Sequence, residues 1–304
     1  MLEKKYLIII AGPTASGKTN LAIQLAQYFS TEILSADSRQ FFREMSIGTA
    51  KPTPAELSQA PHHFINNLSI HDDYSVGDYE REALTLLGTL FLTKNVVIMV
   101  GGTGLYIRAV CESLDVFPDV PLSIREYWEQ IFMTQGIEIL QNKLKEVDPV
   151  YFEDVDKDNS KRLVRALSVW QESGQPFSSF RKKTQVKRDF ECIYIALDTP
   201  REILYDRINK RVDNMIENGL VEEARLLFPF KHLNALLTVG YSELFDYFED
   251  KISLAEAIDK IKQHTRNYAK RQYTWFRKDE HWQKFTAPDV DNIIEYLLKR
   301  IENK

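Results

Sequence analysis

The run Gly12-Pro13-Thr14-Ala15-Ser16-Gly17-Lys18-Thr19 constrains this chain more than any other feature, because both of its flanks are legible. Before it, Tyr6–Ala11 (YLIIIA) is a continuous apolar run, the pattern of a strand buried on both faces. After it, residues 18–29 place Leu21, Ala22, Leu25, Ala26 and Phe29 on one helical face. A G-x-x-x-x-G-K-[ST] run between a buried strand and an amphipathic helix is a phosphate loop, the kind that binds ATP and related nucleotides. Its glycines let backbone N–H groups turn inward around phosphate oxygens, and the helix N-terminus adds partial positive charge. Lys18 supplies a mobile cation and Thr19 a hydroxyl for Mg²⁺, so a di- or triphosphate is the expected ligand.

The rest of the chain fits around that unit. Residues 32–36, 96–100 (VVIMV) and 192–197 (CIYIAL) read as further buried strands. Strands alternating with helical patterns predict an α/β fold, a parallel sheet of the phosphate-loop NTPase kind flanked by helices. Between the last two strands lies a different stretch, with helical periods at 123–134, Ile137–Val147 and 159–174 and no buried-strand run. It predicts a helical insertion over 112–188 in a core made of 1–111 and 189–304. Two long helices are expected at 201–228 and 254–276.

Charge is segregated. The chain total is −5, which excludes a uniformly basic nucleic-acid binder, yet 161–188 and 260–278 each carry a local +7. Such blocks suit a polyanion, although solvated basic faces are commoner. Cys111 and Cys192 are too few for a disulfide framework and read as reduced thiols. No apolar run approaches the roughly 20 residues that span a bilayer, and the first residues lack signal-peptide features. A cytoplasmic monomer without membrane contact is expected.

Nucleotide hydrolases and small-molecule kinases usually carry a Mg²⁺-organising Asp after an apolar strand. Here VVIMV runs into Gly101-Gly102-Thr103-Gly104-Leu105-Tyr106, with no acid. Asp198, in Asp198-Thr199-Pro200, is expected to start a helix instead. Asp37 falls at the carboxyl end of the second strand, where ligands bind in open parallel sheets. A lone Asp there equally serves to turn the chain, and the residues alone leave both readings open.

Together these stretches resemble the tRNA dimethylallyltransferase (tRNA isopentenyltransferase) family. GPTASGKTNLA (12–22), SADSRQ (35–40), IGTAKP (47–52), HHFI (62–65), GGTGLYI (101–107), KRLVRAL (161–167), RVDNMIENGLVEEA (211–224), VGYSE (239–243) and TRNYAKRQYTWFR (265–277) match it in order. The resemblance implies transfer of a dimethylallyl group from dimethylallyl diphosphate to the exocyclic amine of the adenosine 3′ of the anticodon, in tRNAs reading codons that begin with U. Diphosphate leaves and Mg²⁺ is required. Asp37 then matches the family's general base, Thr103 a residue contacting the adenosine, and Arg211 a diphosphate-binding arginine. Arg207, one helical turn before Arg211, is a weaker candidate with a solvated-face alternative. Asp37-Ser38-Arg39-Gln40 are expected around the target base. Lys161-Arg162-Leu163-Val164-Arg165 and Arg125 are expected on the anticodon stem-loop. Trp275 and Phe276 are assigned to the core.

Departures from the family pattern include Glu44, an added acid near the tRNA-facing loop, Asn66 where Asp is common, and Ser113. Two rival readings remain: an adenylate isopentenyltransferase acting on free AMP, and a phosphate-loop RNA-binding module or kinase without prenyl chemistry.

Overall fold

The computed structural model describes residues 4–182, 186–277, 281–286 and 289–302. Lys183 and Lys278, members of the two basic blocks, lie outside the described residues. The chain forms two compact units, one of 1–112 and 187–304 and one of 113–186.

The larger unit is built on six parallel strands: β1 (Tyr6–Ala11), β2 (Ile33–Ser35), β3 (His62–His63), β4 (Val96–Gly101), β5 (Glu191–Leu197) and β6 (Gln283–Phe285). Their order across the sheet is β3-β2-β4-β1-β5-β6. β1 lies at the centre, with Ile8 paired to Ile98 on one side and to Ile193 on the other. Every β1 residue is buried, which is why it reads as an unbroken apolar run. Leu7, Ile9 and Ala11 enter one apolar cluster with Tyr79, Ile107 and Phe276, while Tyr6, Ile8 and Ile10 enter the other with Leu21, Leu25 and Ile293. Truncating such a buried Ile to Ala costs about 2–5 kcal/mol, so packing on both faces holds the strand that aims the phosphate loop.

Two expectations are corrected, and two strands are added to the four expected. The stretch 201–228 is two helices, Arg201–Glu217 and Leu220–Leu227, broken where Gly219 adopts φ +98°. A left-handed residue cannot continue a helix, and Asn218-Gly219 is the stop signal in the sequence. β3 and β6 are two and three residues long, too short to show a period. Asp198 caps nothing: the helix starts after Pro200 with no side-chain cap, and the Asp198 carboxylate lies 3.6 Å from the Arg277 guanidinium. Phe276 is buried and Trp275 packs against the same cluster, as expected.

The smaller unit contains helices at Leu122–Gln135, Ile137–Val147, Pro149–Asp154, Ser160–Ser173 and Phe177–Phe180. Its core gathers Trp128, Leu140, Leu144, Leu163, Val164 and Leu167. Buried Asp148 ties its turns together, accepting from the Tyr151 and Ser178 amides at 3.0 and 2.7 Å. Among the described residues no helix is long and apolar enough to cross a membrane. Cys111 and Cys192 are free thiols.

Candidate active site

Where β1 ends, the chain turns through Ala15 and Gly17, both at positive φ (+64° and +93°), and enters the helix Lys18–Tyr28. Gly17 is the N-cap and offers no side chain, so the first-turn amides keep their hydrogen-bonding capacity for an anion. Thr14, Ala15, Gly17, Lys18 and Thr19 line a cavity of about 330 Å³ at the carboxyl edge of the sheet. Gly12, Pro13 and Ser16 do not line it: Gly12 packs on the Leu197 carbonyl and the buried Ser16 hydroxyl has no partner.

Three cations, Lys18, Lys51 and Arg211, line this cavity, and two of them touch the phosphate loop. Lys18 donates to the Pro13 carbonyl at 2.7 Å, and Arg211 donates to the Thr14 hydroxyl at 3.2 Å. Burial, reinforced by the Arg211 charge and opposed by Asp37, lowers the Lys18 pKa to about 7. Burial also lowers the Arg211 pKa. Two mutually repelling, poorly hydrated cations are a standing demand for an anion between them. Arg207 lies exposed on the same helix and lines neither cavity described here.

Asp37 follows β2 and accepts from the Arg39 amide at 3.0 Å, so it does turn the chain. It also lines the phosphate cavity and a second cavity of about 650 Å³. The two share Thr14, Asp37, Thr49, Ala50, Arg211 and Tyr268. Ser38, Arg39 and Thr103 line only the second, and the Ser38 amide reaches the Thr103 hydroxyl at 3.4 Å. Gln40 faces the phosphate cavity instead, its amide engaged by the Thr49 and Ala50 carbonyls at 3.3 Å. The carboxylate thus stands where a diphosphate space and a larger space meet.

Thr19 lines the phosphate cavity, where its hydroxyl would be an oxygen ligand for a cation, and no group of three or more His, Cys, Asp or Glu among the described residues could hold a metal by itself. That set fits Mg²⁺, which binds through phosphate oxygens, water and one or two protein oxygens.

The smaller unit places its expected contacts unevenly. Lys161, Arg162, Arg165 and Arg125 are exposed, whereas Leu163 and Val164 are buried in the core. Those two side chains cannot touch a nucleic acid, because helical periodicity turns them inward within the KRLVR run. The second basic block also divides. Lys260 and Arg271 line the larger cavity near Asp37, while Lys270 and Arg277 line a separate groove with Arg201.

Several residues that sequence reasoning did not single out shape the site. Tyr268 lines both cavities; burial and the Asp37 charge push its pKa up to about 12, against a hydrogen bond from Thr103, so it presents a protonated phenol. Gln272 joins the phosphate loop to Gly102, and a Cβ on Gly102 would lie 2.1 Å from its amide nitrogen. A Cβ on Gly104 would lie 2.3 Å from the Trp275 ring. That is the physical link between GGTG and QYTW, two motifs far apart in sequence. Glu223 accepts from the amides of Ser46, Ile47 and Gly48 at 2.9–3.1 Å and from the Tyr241 hydroxyl at 2.7 Å. It fixes the 46–52 loop, which supplies Thr49, Ala50 and Lys51 to the cavities.

Replacing Glu223 by Ala strands three amides and a phenol, and a roughly 2 kcal/mol loss of stability is expected for hydrogen bonds to a charged group. Urea unfolding reads it; an unshifted midpoint would mean that the loop satisfies itself without the carboxylate.

Two departures from the family pattern also have structural partners. Glu44 accepts from the Ser69 hydroxyl at 2.7 Å and the Ile70 amide at 3.1 Å, so it braces a turn. Lys51 donates to the side-chain Oδ1 of Asn66 at 2.6 Å, and burial brings the lysine's pKa to about 8.

Known proteins resemble this chain along nearly its whole length. The tRNA dimethylallyltransferase of Christiangramia forsetii is 53% identical over 298 residues, covering 97% of this chain and 98% of its own. That of Flavobacterium psychrophilum is 48% identical over 306 residues, covering 98% and 99%. Among solved structures, the tRNA isopentenylpyrophosphate transferase of Bacillus halodurans aligns with TM-score 0.74 at 33% identity, over 99% of this chain and 98% of that one. A eukaryotic dimethylallyltransferase acting on tRNA aligns with TM-score 0.81 at 26% identity, over 99% and 80%. The family model described as IPP transferase matches residues 40–279, and with these relatives it establishes that the chain belongs to the IPP transferase family.

Proposed function

We infer that this chain transfers a dimethylallyl group from dimethylallyl diphosphate to the exocyclic amine of a tRNA adenosine, the one 3′ of the anticodon in tRNAs reading codons that begin with U. The observation that carries the reading is the position of Asp37, shared by the phosphate cavity and the larger cavity beside it. The amine nitrogen bonds to the first prenyl carbon, the bond from that carbon to the diphosphate oxygen breaks, and the amine's proton passes to Asp37. An aromatic amine is a poor nucleophile because its lone pair is delocalised, so a carboxylate within reach of its proton assists attack. Lys18, Arg211 and the loop amides stabilise the charge that develops on the leaving diphosphate. Thr19 would help hold Mg²⁺, which when bound would supply further charge neutralisation there.

The names of the relatives favour tRNA over free AMP, as do the two basic blocks. The target base is normally stacked and must be turned out to reach the larger cavity, with Thr103, Ser38 and Arg39 around it. Lys161, Arg162, Arg165 and Arg125 take the phosphates of the anticodon stem-loop. The protein works as a cytoplasmic monomer. The deciding experiment incubates it with labelled dimethylallyl diphosphate, Mg²⁺ and either unmodified tRNA or AMP. Label in tRNA alone is expected, and label in AMP alone would establish the rival reading.

For the clamp, Arg162→Ala should weaken tRNA binding across sequences and reduce the salt slope by about 1. Filter binding across a salt series measures it. An unaltered slope removes Arg162 from the phosphate contacts.

A further inference from the structure

Gln272 belongs to the helix Leu254–Arg277, is 5% exposed, and holds two segments far from it and from each other in sequence. Its Oε1 accepts from the Thr14 amide at 2.9 Å, and its Nε2 donates to the Gly102 carbonyl at 3.0 Å. We propose that Gln272 is a positioning residue that fixes the phosphate loop against the Gly102-Thr103 turn, and so sets where the leaving diphosphate stands relative to the acceptor adenosine. The proposal rests on the reading given under Proposed function.

The chemistry of the two partners selects this side chain. One is a donor and the other an acceptor, so a side chain carrying an acceptor and a donor on the same carbon satisfies both. An amide does this without charge, which matters in a cavity that must receive a diphosphate. The backbone has also made room, since Gly102 has no Cβ to meet the amide. Thr14 is held from two sides, its N–H by Gln272 and its hydroxyl by Arg211. The Thr14 amide is thereby spent on the protein, and the cradle is left to the amides that follow it. Downstream of Gly102, the Thr103 amide lies 3.4 Å from the Ala36 carbonyl, one residue before Asp37. The loop that holds the leaving group and the turn that holds the acceptor therefore share one side chain as their common brace. Since a misplacement of about 1 Å can cost roughly 100-fold in rate, such a brace acts on turnover more than on affinity.

The test compares Gln272→Met, which keeps the length and loses both hydrogen bonds, with Gln272→Glu, which keeps the acceptor and loses the donor. Steady-state transfer from dimethylallyl diphosphate to full-length tRNA should show kcat down about 10–100-fold in the Met variant, with KM for tRNA within about twofold, because phosphate contacts dominate RNA affinity. In the Glu variant, burial and Asp37 raise the pKa of the new carboxyl while Lys18, Lys51 and Arg211 of the same cavity lower it, and lowering the pH protonates it and restores a donor to Gly102. Its rate relative to the unsubstituted protein at the same pH should therefore rise as pH falls. A kcat within twofold of the unsubstituted protein in the Met variant overturns the proposal. So does a KM for tRNA that rises in step with the lost efficiency, or a relative rate of the Glu variant that is flat with pH. If neither variant melts cooperatively, Gln272 is a structural residue and the proposal is also overturned. Failure of the unsubstituted protein to prenylate tRNA would instead remove the functional reading, and this inference with it.

Discussion

Substituting Asp37 by Ala lowers turnover by roughly 10²–10⁴-fold, the usual cost of removing a positioned general base, while tRNA binding is largely retained. The separation follows from the geometry. Asp37 touches both cavities, yet its negative charge adds nothing to the attraction of a polyanion. Asp37→Asn sharpens the test, because the amide oxygen can still accept from the Arg39 N–H, which Asp37 Oδ1 does at 3.0 Å. If the residue served only to turn the chain, the Asn variant would keep its rate. If it takes the proton, Asn and Ala should be impaired alike. Single-turnover transfer with enzyme in excess over tRNA isolates the chemical step, and an unimpaired Asn variant would strip Asp37 of the role.

Lys18→Met should lower transfer by roughly 10²–10³-fold, the scale for losing one preorganised stabiliser of developing negative charge. Lys18 donates to the Pro13 carbonyl, and burial beside Arg211 lowers its pKa to about 7. A bound diphosphate reverses that balance, so attraction should grow as the carbon–oxygen bond breaks and charge accumulates on the departing oxygens. Inhibition by inorganic pyrophosphate should weaken in parallel. A rate loss below about threefold, with pyrophosphate inhibition unchanged, would show that Arg211 and the loop amides suffice and that the estimate for a single lost stabiliser fails here.

The sequence made the central sheet legible because β1 and β4 are buried on both faces and read as uninterrupted apolar runs, and β5 is apolar from Cys192 to Leu197 although its first half is only partly buried. The phosphate loop was legible for a related reason, since its glycines, lysine and threonine are fixed by local backbone geometry. What stayed hidden was long-range. Gln272 looks like any polar residue on a basic helix until Gly102 is seen 170 residues away in sequence. Glu223 sits in an acidic pair on an amphipathic helix, and nothing local announces that three amides of the 46–52 loop point at it. Tyr268 is one of several aromatics on a basic helix, and nothing local shows that it lines both cavities together with Asp37. Leu163 and Val164 went the other way: a motif treated as a block concealed that the helix turns these two inward and leaves Lys161, Arg162 and Arg165 exposed.

The position of the helical unit in the chain has a consequence for biosynthesis. β1 is the first strand made, but its β5 neighbour, whose Leu197 carbonyl backs Gly12, emerges only after residues 113–186 have been translated. Until then one side of the innermost strand is an open row of amides and carbonyls, the kind of surface that recruits other strands. A ribosome stalled within the insertion thus carries a nascent chain whose first strand is half-paired. Completing the cradle and closing that hazard are one and the same event.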